Sequence, residues 1–504
     1  MDILTMILCL ILFTSSLIFL AKTIRQDHSN LPPGPARLPV IGNLHLLDAK
    51  PHKSLAELAE THGPIMSLKL GQLTTIIISS ASAARLVLHK QDHSFANRFV
   101  PDSFKACDHG KFSVAWTPLS PKWRQLRKIC STYIFSSQKI EASGYLMKRK
   151  IEELIADAQK KCTIGESFSI GEAAFKTSIN MLSRVIFSMD LVDGETERAM
   201  EFKMSFRSMM ELGGFPNLVD YFPWLERADP LRMRARMEPH FANLLSLFNC
   251  LVVERLANRV VEQGQGQASL SSKNGDVLDS LLNILEDKNE DVTRNDINHL
   301  LLDLFVAGTD TTASTLEWAM AEVLKNPEIM SKAKSELKGV TKKSKPIEDG
   351  DISRLPYLQA IVNETLRLHP ATPLLLPRRT SNVVDLNGYT IPKGAQVVVN
   401  AWAIGRDPCS WDTPEIFSPE RFLGSNVSFV GGSFELIPFG GGRRVCPGVP
   451  LAVKMLHLML GSLISCFDWK VEDGVLDGED IDMDDKFGLT LQKTRPLRAV
   501  PIAI

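Results

Sequence analysis

The residues best suited to do chemistry lie in a glycine-rich loop that runs from Pro438 to Gly448 and contains Cys446. Three consecutive glycines permit tight turns and let a flat ligand approach the backbone without a side chain in the way. Cys446 is followed by the predicted start of a helix, whose free N–H groups favour a thiolate and can donate hydrogen bonds to its sulfur. The loop therefore predicts a thiolate beside a flat bound ligand.

A second polar group interrupts the clearest predicted helix, Asp296 to Leu324. Leu300 to Val306 is apolar on every face, so this helix should cross the middle of the protein. Residues 307–312 then read Ala-Gly-Thr-Asp-Thr-Thr. Threonine hydroxyls can bond the preceding turn's carbonyls and loosen the helix, which predicts a groove with an alcohol and a carboxylate at its edge. Taken alone, such a patch is more often structural.

Two further pairs have helical spacing. Glu364 and Arg367 are three residues apart, and Trp123 and Arg127 are four apart. Such pairs share one face of a helix. In isolation the first reads as a solvated ion pair, and the second as a core tryptophan with a surface arginine. The eight cysteines form no CxxC pair, which argues against a disulfide scaffold or a structural zinc site, and most are expected to be buried.

The loop at 439–448 resembles the heme-thiolate loop of the cytochrome P450 family, Phe-x-x-Gly-x-Arg-x-Cys-x-Gly, at every fixed position. The resemblance covers essentially the whole chain and is closest to microsomal plant members that oxidise terpenoids. It implies heme b as the cofactor, with Cys446 as the protein ligand of the iron, because thiolate ligation favours cleavage of the O–O bond. It also implies a mostly α, α+β fold with small sheets.

The resemblance assigns roles to the other residues. Thr311 would hydrogen-bond dioxygen in the groove, and Asp310 would help to relay protons to it. Glu364, Arg367 and Arg421 would form a buried network that braces the heme loop. The remaining predicted cofactor-binding residues, four of which would donate to the heme propionates, are Phe439, Trp123, Arg127, Arg378 and Arg444.

The resemblance also predicts which segments line the substrate pocket: the loop from Val100 to Leu119, Ala371-Thr372, Phe305, and Phe487 to Thr490. Relatives often have a second proline where this chain has Ala371-Thr372. The family likeness implies a terpenoid substrate, and among terpenoids it favours a monoterpene alcohol such as geraniol; the apolar character of the predicted lining agrees with this. A sesquiterpenoid or diterpenoid, a phenolic compound and an alkaloid remain alternative substrates.

The electrons must come from a partner, because no Gly-x-Gly-x-x-Gly follows a strand in a βαβ unit. The resemblance implies NADPH–cytochrome P450 reductase. Candidate docking charges, each equally well explained as a solvated charge, are Lys122, Arg124, Lys128 and Arg443. A heme-thiolate isomerase or dehydratase would need no reductase, but it usually lacks the alcohol that Thr311 provides. An inactive heme-binding scaffold and a receptor-like membrane protein are further alternatives.

The elements that must position these residues follow from the hydrophobic pattern. Ile65 to Ser80 is β-branched and turns at Gly71-Gln72, which predicts a hairpin, and a second strand region runs from Val383 to Asn400. Nearly everything between about residues 120 and 370 reads as helix. The stretches Gly264 to Gly275 and Lys342 to Gly350 are too short to separate domains, so residues 39–504 are predicted to form one catalytic domain.

The amino-terminal residues predict a membrane anchor. Ile3 to Ala21 is almost wholly apolar and would span about 28 Å as a helix. Lys22 and Arg25 follow it, which places the rest of the chain in the cytosol. The resemblance to microsomal members implies the endoplasmic reticulum membrane. We expect an anchor over residues 1–22 and a proline-rich tether over residues 23–38; a cleaved signal peptide is the alternative. The net charge of −1 gives no reason to expect a nucleic acid partner.

Overall fold

The computed structural model describes Thr14 and residues 30–192, 196–264, 275–287, 290–341, 345–429, 432–472 and 481–504. The predicted anchor at 1–22, except Thr14, and the linker-like stretch at 265–274 lie outside the described residues. The tether is described from residue 30, and residues 30–37 form neither helix nor strand. It packs on the first sheet, because Ser67 donates from its backbone N–H to Pro33 and from its hydroxyl to Pro32.

Most of the described chain is helical, as the sequence predicts. The α-helices span Pro51–His62, Ala81–Arg85, Asp92–Phe95, His109–Phe112, Pro121–Ile129, Ser137–Ala142, Gly144–Ile164, Ile170–Phe187, Glu197–Gly214, Leu218–Tyr221, Met233–Gly264, Val277–Glu286, Arg294–Lys325, Pro327–Val340, Pro356–Leu368, Ala401–Ile404 and Val449–Cys466. Short 3-10 or π segments span Leu44–Leu46, Leu86–Lys90, Asp102–Asp108, Cys130–Ile134, Pro223–Leu225, Asp349–Arg354, Pro419–Phe422 and Gly442–Arg444. The fold is therefore mostly α with small sheets.

The helix Arg294–Lys325, called the central helix below, crosses the core as predicted. It starts at a capping box in which Thr293 and Asp296 bond each other's backbone N–H groups, and it ends at Asn326, before Pro327. Residues 300–305 are all buried, which explains why they are apolar around the whole helix except at Asp303. Its closest neighbours include Ile170–Phe187 and Val449–Cys466. The polar residues at 307–312 are thus placed at the centre of the protein.

The sheets are small and hold the ends of the helical mass. Strands β1 (Ile65–Leu70) and β2 (Leu73–Ile78) form the predicted hairpin, and β8 (Gln396–Val399) runs parallel to β2. Strands β5 (Arg378–Arg379) and β3 (Asn97–Arg98) complete that sheet in the order β1-β2-β8-β5-β3. The other strands are β4 (Phe168–Ser169), β6 (Val384–Leu386), β7 (Tyr389–Ile391), β9 (Phe467–Val471), β10 (Asp485–Lys486), β11 (Gln492–Lys493) and β12 (Arg498–Ala503).

Two details of the core bear on the predictions. Among the described residues one helix, Val449–Cys466, is long and apolar enough to cross a membrane, and 67% of it is buried inside the fold. The expectation that most cysteines are buried is wrong: of the seven described, only Cys130 and Cys466 are buried, and Cys250 and Cys409 are exposed. A thiol is small and weakly polar, so its exposure costs little.

Candidate active site

The glycine-rich loop has the backbone geometry that its glycines predict. Gly440 and Gly442 have φ values of +73° and +66°. A Cβ at Gly442 would lie 1.9 Å from the carbonyl oxygen of Leu88, so only glycine fits there. The N–H of Cys446 donates to the carbonyl of Phe439 at 3.0 Å and closes the loop. Val449 then begins the next helix. The loop therefore holds Cys446 just before a helix amino terminus.

The groups around Cys446 can stabilise a thiolate once a cation binds to its sulfur. Burial raises the pKa of the Cys446 thiol, and the backbone N–H of Gly448, the Arg127 guanidinium and the N–H of Val449 oppose that rise. Burial dominates, so the sulfur does not become an anion on account of the chain alone. The N–H donors predicted for this sulfur are present, and a metal cation would supply the charge that stabilises the thiolate.

A cavity of about 300 Å³ lies between the cysteine loop and the central helix. Seven of the eight predicted site residues line it: Cys446, Phe439, Thr311, Trp123, Arg127, Arg378 and Arg444. They come from four separate segments of the chain. The fold thus brings the predicted thiolate, the predicted alcohol and the predicted carboxylate-binding arginines into one space, although no two of these groups are neighbours in sequence except Arg444 and Cys446.

Asp310 is the predicted site residue that does not line the cavity. Its side chain is buried, and both carboxylate oxygens accept from Nε2 of Gln492 at 3.0 Å. Burial raises the pKa of Asp310, and hydrogen bonds from Thr490 and Gln492 oppose this rise. The neighbouring Thr311 hydroxyl donates to the carbonyl of Ala307 at 2.6 Å, as its position in a helix predicts.

The groove beside these residues has a different origin from the one predicted. The central helix stays α-helical from Arg294 to Lys325, so the threonines do not break its hydrogen-bond ladder. Ala307 and Gly308 both line the cavity, and a Cβ at Gly308 would lie 3.2 Å from a methyl group of Leu182. Small side chains, rather than a loosened helix, therefore create the groove.

Four arginines surround one part of the cavity: Arg98, Arg127, Arg378 and Arg444. Burial, together with repulsion from the other three, holds the pKa of Arg98 well below its usual range. Burial also lowers the pKa of Arg444 to about 9 and that of Arg378 to about 10. Nη1 of Arg378 is buried without a hydrogen-bond partner among the described residues. Buried cations of this kind fit a ligand that carries carboxylates.

Sequence reasoning missed Arg98. It follows Asn97 in a segment with no recognisable motif, and it joins the site through strand pairing, because Arg98 in β3 lies opposite Arg378 in β5. Its guanidinium donates to the carbonyls of Ala115 and Leu376 at 3.2 and 2.6 Å. A two-residue strand leaves no periodic pattern, so no signal in the sequence identifies this residue.

Trp123 and Arg444 are held by the backbone in this structure. The indole N–H of Trp123 and Nη1 of Arg444 both donate to the carbonyl of Val114, at 3.1 and 3.2 Å. The Arg444 guanidinium also lies over the Trp123 ring, 4.4 Å from its centroid. The two residues are therefore adjacent in the cavity wall, and their donation to propionates stays a prediction.

The predicted bracing network is present. Nε and Nη2 of Arg367 each donate to Glu364 at 2.7 Å, and Nε of Arg421 donates to the same carboxylate at 3.0 Å. The side chains of Glu364 and Arg367 are both 0% exposed. Arg367 also donates to the carbonyls of Gly405 and Pro414. The interpretation of this pair as a solvated surface pair is wrong, because contacts distant in sequence bury it.

The predicted pocket lining is confirmed in part. Ala371, Thr372, Leu489 and Thr490 line the cavity, as do several residues of the loop from Val100 to Leu119. Phe305 does not: it is fully buried and stacks on Phe187 and Phe248, with ring centroids 5.7 and 5.2 Å away. Phe487 instead stacks on His52, at 5.6 Å. The aromatic partners of both rings lie outside the cavity lining, so these two side chains pack behind the wall and not in it.

The site defines a heme-thiolate enzyme, and residues 32–497 match the family model Cytochrome P450; the chain belongs to this family. It is a monooxygenase, and the cofactor of its family is heme b. The chain is 52% identical to geraniol 8-hydroxylase of Catharanthus roseus, across 99% of both chains. It is 51% identical to geraniol 8-hydroxylase of Swertia mussotii, across 97% of both. A zebra fish cytochrome P450 structure with progesterone has a TM-score of 0.75 at 24% identity, over 90% of this chain and 99% of that one.

Proposed function

We propose that this monooxygenase hydroxylates a small plant terpenoid, with a monoterpene alcohol such as geraniol as the substrate. The observation that carries the proposal is the cavity next to Cys446. Most of its wall consists of aliphatic and aromatic side chains, among them Phe104, Trp116, Leu182, Met209 and Phe241. Such a wall binds an isoprenoid chain by excluding water from it. The two geraniol 8-hydroxylases, about half identical to this chain, support the same substrate class.

The residues around the cavity divide the work. Heme, when bound, supplies the activation of dioxygen that allows hydroxylation of an unactivated C–H bond. Cys446 would bind the iron, with the N–H groups of Gly448 and Val449 directed at its sulfur. Arg98, Arg127, Arg378 and Arg444 would bind the two carboxylates of the cofactor, which would neutralise this cluster of buried cations. The apolar wall orients the substrate and excludes water.

Thr311 holds a proton at its hydroxyl on the cavity side of the central helix, and Asp310 supplies protons from the opposite side. The proposal rests on their adjacency and on the position of Thr311 in the cavity wall. Thr311→Ala should lower the product formed per NADPH roughly tenfold or more, with more peroxide released. The control is Thr315→Ala, which removes a similar hydroxyl one turn further along the helix and should leave coupling unchanged. Normal coupling in Thr311→Ala would show that this hydroxyl has no part in proton delivery.

The electrons come from NADPH–cytochrome P450 reductase, and residues 1–22 anchor the chain in the endoplasmic reticulum membrane with its catalytic domain in the cytosol. Of the candidate docking charges, Arg124 is exposed and is the strongest. The others already pair with carboxylates: Lys122 with Asp296, Lys128 with Glu290 and Arg443 with Asp92. An Arg124→Glu variant should raise the concentration of reductase needed for half-maximal turnover.

The deciding experiment is co-expression with the reductase in microsomes, followed by a terpenoid panel read by mass spectrometry. We expect reductase-dependent hydroxylation of a monoterpene alcohol. Oxidation of phenolic or alkaloid substrates, with no terpenoid oxidised, would show the substrate assignment to be wrong. Turnover that continues without reductase and NADPH would instead favour a heme-thiolate isomerase or dehydratase.

A further inference from the structure

Two polar residues in the cavity wall have no part in the reaction described above. Asp303 is the only acidic side chain and His109 the only imidazole among the described residues that line the cavity. They are 9% and 3% exposed. Their neighbours along the wall are apolar, and a buried charge in such a place is costly unless it is well bonded. Their presence in a wall built for an apolar substrate needs a reason.

The hydrogen bonds that Asp303 accepts leave its carboxylate able to accept one further hydrogen bond. Its Oδ1 accepts from the Ser113 hydroxyl at 2.8 Å and lies 3.2 Å from Nε2 of His109. Its Oδ2 accepts from the backbone N–H of Val114 at 2.7 Å, and no further donor to Oδ2 is found among the described residues. A carboxylate oxygen has two lone pairs. One acceptor position therefore remains on a side chain that lines the cavity.

Two imidazoles stand behind this carboxylate. Nε2 of His109 lies 3.2 Å from Oδ1 of Asp303. Nδ1 of His109 shares a hydrogen bond with Nδ1 of His299 at 2.9 Å. Burial, reinforced by His109, lowers the pKa of His299 to about 4, so His299 is neutral at pH 7. His109 therefore lies between His299 and Asp303 and restricts rotation of the carboxylate.

We propose that Asp303, oriented by His109, is a specificity-determining residue that accepts a hydrogen bond from the hydroxyl of a terpene alcohol. The inference rests on the proposed terpenoid function and deepens it. Asp303 and Thr311 are on the same helix, eight residues or about 12 Å apart. A substrate anchored at Asp303 extends its apolar chain towards Thr311 and Cys446, so the oxidised carbon lies at the end far from the hydroxyl.

The test compares an alcohol with a hydrocarbon. Full-length holoenzyme in microsomes is titrated with geraniol and with the monoterpene hydrocarbon of the same skeleton that lacks the hydroxyl, and binding is read from the spin-state difference spectrum. The wild type should bind the alcohol more tightly. Asp303→Leu should raise the Kd for the alcohol about tenfold or more while changing that for the hydrocarbon less than about twofold. The oxidation products of the alcohol should also lose their positional selectivity.

Two variants separate recognition from folding. Lys111→Ala changes an exposed residue of the same loop that does not line the cavity, and it should leave the ratio of the two Kd values unchanged. His109→Phe keeps a ring and should shift the ratio in the same direction as Asp303→Leu. If Asp303→Leu fails to incorporate heme, the His109→Phe ratio decides the matter.

Three results would overturn the inference. The first is a wild type that oxidises terpene alcohols but binds alcohol and hydrocarbon equally well. The second is an equal loss of affinity for both ligands in Asp303→Leu or His109→Phe. The pair would then serve only to hold the loop against the central helix. In both cases the terpenoid function survives. The third is microsomes that oxidise no terpenoid, which refutes the proposed function and this inference together.

Discussion

Two regions that face each other across the cavity are stabilised differently. The cysteine side consists of residues 364–367, 405–421 and 438–448. It contains many hydrogen bonds to backbone carbonyls, and the buried Arg367 pairs there with the buried Glu364. The loop side, residues 97–120 with residues 299–303 of the central helix, depends on a few polar side chains. Its main hydrogen bonds join Ser113 and Val114 to Asp303, and His109 to His299.

This difference shows which part of the function can be predicted from local sequence patterns and which part depends on contacts between distant residues. On the cysteine side, glycines with positive φ and an i,i+3 pair make a pattern that is local in sequence. On the loop side, the partners are 190 residues apart for His109 and His299 and equally far apart for Ser113 and Asp303. The reaction class follows from the first region, whereas substrate choice depends on the second.

Cys446→Ala should produce the largest effect. Without the sulfur no side chain remains to hold the iron, so heme content and oxygenation should both collapse. The measurement is the heme content of purified protein and the red-shifted Soret band of the reduced carbon monoxide complex. Cys409→Ala, at an exposed cysteine, is the control and should change neither. Turnover with an intact thiolate-type spectrum in Cys446→Ala would contradict the site assignment.

Arg367→Ala should be the next most damaging, because it leaves Glu364 buried without its main partner. Breaking a buried ion pair costs about 3–5 kcal/mol in free energy of unfolding. Denaturant unfolding measures the loss. The control is Arg354→Ala, whose partner Asp351 is also three residues away but whose own side chain is 59% exposed; about 0–1 kcal/mol is expected. Equal losses at 354 and 367 would show that burial of the network adds nothing.

How well the sequence predicts each region depends on whether the contacts in that region join residues that are close together in the chain. The hairpin at 65–78 and the cysteine loop depend on neighbouring residues, and both are confirmed. Asp303 and Arg98 acquire their roles from contacts made only after the chain folds. Phe305 was placed wrongly because the family resemblance indicates which segments line the pocket, but not which neighbours bury one side chain in this protein.

Titration of Asp220 tests the loop side through pH. Asp220 accepts from the backbone N–H of Asp102 at 2.7 Å, at the start of the 3-10 segment Asp102–Asp108. Burial raises the pKa of Asp220 from 3.8 to about 6. The folded protein therefore binds more protons than the unfolded chain between pH 4 and 6, so this group's contribution to stability falls as pH rises through that range.

Asp220→Asn stays neutral and should abolish this fall. Relative to the wild type, the variant should gain about 1–2 kcal/mol in free energy of unfolding between pH 5 and pH 7.5. Denaturant unfolding at the two pH values measures the change. Glu57→Gln, at an exposed glutamate of the first helix, should show no comparable gain. A wild-type stability that rises over this range as much as that of Asp220→Asn would contradict the raised pKa.

Arg98→Leu should have the smallest effect and is the most informative about how the two regions meet. Arg98 lies opposite Arg378 in the sheet and donates to Ala115 on the loop side. Its repulsion from Arg127, Arg378 and Arg444 is relieved only by an anion, which the cofactor's carboxylates would supply. Heme release should therefore become about tenfold faster in Arg98→Leu, while the carbon monoxide spectrum keeps its thiolate form because Cys446 is untouched.

Two comparisons decide whether Arg98 acts through its charge. Arg124→Leu removes an exposed arginine from the helix that carries Arg127, and it should leave heme release unchanged. Arg98→Lys keeps the charge but loses the planar fork, so an intermediate rate is expected. If Arg98→Leu releases heme no faster than the wild type, the charge of Arg98 does not hold the cofactor, and the two regions are joined by direct bonds such as the one from Arg444 to Val114.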